Sequence, residues 1–188
     1  MNKLFTILIF LFLTFHSYAN SIEGAFGYKL GEVLNEEIEI KFNYGNFSSW
    51  KSFTPQKPLP DFEKYYIYTT LSDKKIYKIL AINSNYEGNS CIFHFDPKSG
   101  FSYIRNLLEA RYGDASSQKL GDDKYQYIYW LEDQYVNRSI TLLCSNKNLN
   151  RPDLKLEYLD LKLQKRASRE SDEMVKQKLI DESSEYDL

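Results

Sequence analysis

The chain has 188 residues, about one domain, with 24 Lys+Arg against 26 Asp+Glu and a formal net charge of -2. Apolar residues make up 43% and charged residues 27%, with only 8 Gly and 5 Pro, which excludes a collagenous, low-complexity or wholly disordered chain. The basic excess of a nucleic-acid-binding protein is missing, so no nucleic acid is expected as a partner.

Lys3 gives a short positive start, and Leu4–Phe15 is free of charge. Ser17-Tyr18-Ala19 then places small residues at the positions a signal peptidase reads. These are the parts of a secretory signal peptide over residues 1–19, with the cut expected after Ala19. The apolar run would rise only about 18 Å as a helix, short of a hydrocarbon core of about 30 Å. No stable membrane span is expected after signal removal, and the destination is the periplasm or the extracellular space.

Ala25-Phe26-Gly27-Tyr28-Lys29-Leu30-Gly31 reads as a short extended piece between tight backbone turns. Ile38-Glu39-Ile40-Lys41-Phe42 alternates as a half-buried strand does. Residues 43–60, with Pro55, Pro58 and Pro60, read as a long loop. Tyr65–Leu71 and Ile76–Asn83 form a hairpin. Helix-start residues at Asp96–Gly100 lead into Phe101, Ile104, Leu107, Leu108 and Tyr112 at helical spacing. Arg105, Asn106 and Glu109 lie on the other side, and Gly113 is the stop. Tyr125–Leu131, Ser139–Ser145 and Leu154–Leu161 read as three further strands. From Lys162 the composition turns to charged helix formers with a thin apolar face of Met174, Val175, Leu179 and Ile180. Tyr66-Ile67-Tyr68 is echoed by Tyr127-Ile128-Tyr129, as a duplicated hairpin or as two strands alike in composition.

Short connections between strands imply antiparallel pairing. The fold expected is α+β: an antiparallel sheet of about five to six strands, one central amphipathic helix and a charged C-terminal helix. Residues 1–19 are the signal peptide, 20–163 a single α+β domain, and 164–188 a charged helix or tail.

Cys91 and Cys144 are the two cysteines. In an exported chain an even count favours a disulfide, and closing so long a loop stabilises by roughly 4 kcal/mol in the chain-entropy model. The competing reading makes Cys91 a nucleophile with His94 as base. In extended chain these two point to opposite faces, and a second Cys stands ready to pair. The chain lacks H-E-x-x-H, G-x-S-x-G and G-x-x-x-x-G-K-[ST]. No cofactor, metal or catalytic residue is assigned.

Two aromatic groups are candidate partner-binding surfaces: Tyr44, Phe47, Trp50 and Phe53 on the loop, and Tyr125, Tyr127 and Tyr129 on one strand face opposite Ile128 and Trp130. The bland readings are a loop folded back onto the core and a sheet covered on both faces. In the C-terminal segment Lys162, Lys165, Arg166 and Arg169 precede an acidic end, which suits a solvated helix or a tail that docks a basic partner.

The Phe26-Gly27 opening with Gly31 following resembles the mature start of small exported bacterial proteins of uncharacterised function. The later pattern is similar too: Cys91 before the helix, Leu107 through Tyr112-Gly113 ending it, Trp130 on the next strand and Tyr158-Leu159-Asp160 near the last. The resemblance spans most of residues 25–161. It implies an envelope protein of α+β type and brings no catalytic residue and no ligand. The function expected is a non-catalytic, exported binding protein, such as an envelope accessory factor, an inhibitor or an immunity protein, whose partner is another envelope or secreted protein. The alternatives are a small exported hydrolase of cell-wall material, needing His94 or a carboxylate pair, and a carrier of a small apolar ligand.

Overall fold

Where this chain can reverse direction decides its sheet. The computed structural model describes residues 21–84, 100–121, 124–130, 137–145 and 153–185. Tyr44 (φ 50°) and Gly45 (φ 79°) are both left-handed, which is the two-residue hairpin geometry that matches strand twist. They join β3 (Ile40–Asn43) to β4 (Asn46–Phe53) in register from Asn43↔Asn46 to Ile40↔Ser49. A side chain at Gly45 would be strained in that conformation. A smaller hairpin, β1 (Gly24–Ala25) with β2 (Tyr28–Lys29), stands apart from the main sheet.

The first half of the chain continues with β5 (Lys64–Thr69) and β6 (Ile76–Asn83). The second half adds β7 (Ser117–Gly121), β8 (Lys124–Trp130), β9 (Arg138–Ser145) and β10 (Asp153–Asp160). The strand order is β3-β4-β5-β6-β10-β9-β8-β7, and every pairing is antiparallel. Two four-strand meanders therefore meet along the β6–β10 seam.

Alternation sorts the side chains into two faces. Tyr65, Ile67, Ile79, Ala81, Leu154, Leu156, Tyr158, Ile140, Leu142, Cys144, Tyr127 and Tyr129 are buried on one face. Each fully buried Ile or Leu contributes about 2–3 kcal/mol. α1 (Gly100–Tyr112) covers part of this face through Phe101, Ile104 and Leu108, with the Phe101 ring 5.5 Å from that of Tyr127. The N-terminal segment covers more of it. Phe26 meets Tyr65 edge-on at 5.0 Å, and Ile22, Leu30 and Leu34 are buried.

α2 (Leu161–Glu185) leaves β10 without a linker. The Asp160 carboxylate accepts the Leu163 N–H at 3.0 Å and caps the first turn. Arg166 then pairs with Asp73, Glu170 accepts the Leu71 N–H and the Ser72 hydroxyl, and Ser171 Oγ accepts the Phe47 N–H. These contacts hold the first three turns across the strand ends.

The architecture is α+β and antiparallel, and the sheet is larger than expected: eight strands plus a separate hairpin of two. Two strands account for the difference. β4 arises inside the segment read as loop, because Tyr44-Gly45 turns the chain without a proline; the prolines lie after Phe53. β7 has sparse, exposed side chains and no apolar alternation, and its pairing with β8 alone defines it. Leu107 is 43% exposed, since the sheet meets α1 along the 101–104–108 line and Leu107 flanks it. The signal segment, Cys91, His94 and Leu131 lie outside the described residues.

Candidate functional site

The second sheet face carries half-buried side chains from one meander to the other, with Leu80 buried among them. Tyr66, Leu80, Glu157, Thr141 and Ile128 form one cross-strand row from β5 to β8. Trp50, Tyr68 and Lys78 form the neighbouring row. Trp50 meets Tyr66 edge-on at 5.5 Å and Tyr68 at 6.5 Å. The two rows thus join into an aromatic cluster on β4 and β5.

Lysines frame the cluster. Lys78 Nζ lies 3.7 Å from the centre of the Tyr68 ring, and Lys41 Nζ 4.7 Å from that of Trp50. Lys155 pairs with Glu157 at 3.1 Å on the same face. Burial pulls the Lys78 ammonium below its ordinary value, while Glu157 opposes the shift. Burial pushes the Tyr68 hydroxyl up, and Tyr77 beside it up to about 12. Tyr68 and Tyr77 are therefore neutral hydroxyls at physiological pH. The face offers aromatic area, hydroxyl donors and cations, which is the equipment of a contact surface.

The candidate residues from the sequence land in different places. Tyr44 is fully exposed at the β3–β4 turn. Phe47 packs on Phe42 at 4.8 Å. Trp50 lies on the open face. Phe53 packs edge-on against Tyr28 at 4.9 Å, on the core side. Strand alternation splits this quartet, so the four do not form one surface. Tyr127 and Tyr129 are 6% and 2% exposed, and Tyr125 packs against the same core beneath Phe101. This corrects the reading of Tyr125, Tyr127 and Tyr129 as an exposed surface: α1 covers the side they share. Burial pushes the Tyr129 hydroxyl up to about 12.

Cys144 is fully buried on β9, and no free cysteine is found among the described residues. Its expected partner Cys91 lies outside them. The residues that sequence reasoning missed are Tyr66, Tyr68, Lys78 and Lys41. Their signal was present as the alternate phase of strands already identified: Tyr66 and Tyr68 oppose Tyr65 and Ile67 in the KYYIYT run.

A cavity of about 520 Å³ lies on the other side of the sheet. It is lined by Phe26, Leu59, Leu156 and Tyr158, with Lys57 and Arg111 among its polar groups. Phe26 holds a left-handed backbone (φ 57°) there. No helix among the described residues is long and apolar enough to cross a membrane. No family model, no curated protein and no solved structure matches the chain.

Proposed function

We propose that this is an exported, non-catalytic binding protein of the cell envelope, an accessory factor, inhibitor or immunity protein, that holds another envelope or secreted protein on its open sheet face. The observation that supports this most is the cluster of Trp50, Tyr66 and Tyr68 framed by Lys41 and Lys78 on a face with half-buried side chains. Rigid aromatic side chains give large contact area at small entropic cost. The signal-like N-terminus supports the location.

The test is paired capture from the host's own envelope extract. The wild-type protein should retain one stoichiometric partner, and the Trp50→Ala/Tyr66→Ala variant should lose it while keeping its circular dichroism spectrum. Equal retention by both proteins removes the open face from the reading. Absence of any partner removes the reading itself.

The cavity favours a second reading, a carrier of a small ligand with an apolar body and an anionic end. Phe26, Leu59 and Leu156 would hold the body, and Lys57 and Arg111 the charge. Native mass spectrometry of protein purified from its host would show a bound small molecule; a bare mass rejects this reading.

A further inference from the structure

We propose that a second copy of this chain pairs with the first along β3, in antiparallel register centred on Ile40, to form a two-fold dimer with one continuous sheet. β3 is an edge of the sheet. The two-residue turn at Tyr44-Gly45 makes Asn43↔Asn46 a hydrogen-bonded pair, and so also Lys41↔Ser48. The N–H and C=O groups of Ile40 and Phe42 therefore point away from β4, toward whatever lies beyond the edge.

Charge then selects the register. Residues 37–39 precede β3 without a turn or bend, so Ile38-Glu39-Ile40-Lys41-Phe42 is a continuous run. An axis through Ile40 pairs its outward groups with those of the second Ile40 and sets Ile38 opposite Phe42. It also sets Glu39 of each copy opposite Lys41 of the other. Glu39 and Lys41 already share a side, 3.1 Å apart within one chain, so the dimer would close an alternating ring of four charges. An axis through Lys41 also satisfies the backbone, but it places lysine against lysine. The opposite edge offers no such match: β7 (Ser117–Gly121) carries Lys119 and no acid.

The exposed apolar side chains support the same end of the molecule. Ile40 and Phe42 are 47% and 44% exposed. α2 reaches this edge at Lys178, whose Nζ lies 5.4 Å from the Phe42 ring. Leu179 and Ile180 follow at once, each 59% exposed. The remaining helix, about 10 Å long, has length enough to reach a neighbouring strand pair, and two-fold symmetry makes that cover reciprocal.

Sedimentation velocity on protein expressed from its full sequence tests this, from low micromolar to several hundred micromolar. The wild type should dimerise reversibly. Lys41→Glu alone sets acid against acid and Glu39→Lys alone sets base against base; each should weaken self-association roughly tenfold or more. The double variant Glu39→Lys/Lys41→Glu restores the complement and should dimerise again. An equimolar mixture of the two single variants should also dimerise, as a mixed pair. A monomeric wild type overturns the proposal. So does a dimer that either single variant leaves intact, or a double variant that stays monomeric with a native circular dichroism spectrum.

Discussion

Arg138 and Asp160 face each other across β9 and β10, with Nε 3.4 Å from Oδ2. The other guanidinium nitrogens donate to the Ile22 carbonyl at 3.0 Å and the Leu30 carbonyl at 2.8 Å. The second oxygen of Asp160 caps α2 through Leu163. One charge pair thus joins the N-terminal segment, the sheet and the C-terminal helix.

Replacing Arg138 by Leu strands two carbonyls and the largely buried Asp160. The expected loss is about 3 kcal/mol, seen in urea unfolding. Amide exchange should rise most at residues 22–34. A uniform rise across all segments would show that the contact is not local.

Acid should loosen the α2 clamp. The Thr70 hydroxyl, then Lys75 and Arg166, hold the Asp73 carboxyl down to about 2. A depressed pKa contributes stability above the unfolded value near 4, and that stability is lost as pH falls toward 2. Asp73→Asn should therefore flatten the acid limb of the stability profile, with the variant approaching wild type at pH 2.

At the alkaline end the sign reverses. Burial raises Tyr77 and Tyr129 to about 12, and raises Tyr158 further. Their contribution is present below about 10 and is lost as pH rises through about 12. Phenolate absorbance should show a late group of tyrosines that titrates with unfolding. A single early transition for all tyrosines would contradict the burial described.

The cysteine pairing predicts that the denatured, unreduced protein gives no thiol reaction. Reduction should lower stability by roughly 2–4 kcal/mol. Two reactive thiols without reductant would return Cys91 to the nucleophile reading.

The two sheet faces should respond differently to truncation. Ile67 is completely buried, and Ile67→Ala should cost about 2–5 kcal/mol. Trp50→Ala should cost markedly less, because Trp50 is only partly buried and lies on the face opposite the core, yet it should abolish partner capture. Equal losses of stability would place Trp50 in the core.

Local pattern alone determined the α+β class, the Tyr65–Asn83 hairpin, the helix ending at Gly113 and the three late strands, because alternation and helical spacing are written in consecutive residues. Tertiary structure decided the edges and the faces. β7 exists through its partner, and β4 through a turn whose left-handed Tyr44 carries weak sequence signal. The near-identical Tyr66-Ile67-Tyr68 and Tyr127-Ile128-Tyr129 show the limit most plainly. In the first the isoleucine is buried and the tyrosines look outward; in the second the tyrosines are buried. A strand has two equivalent phases, and only the element packed against it, here α1 with Phe101 over Tyr127, selects which one faces the core.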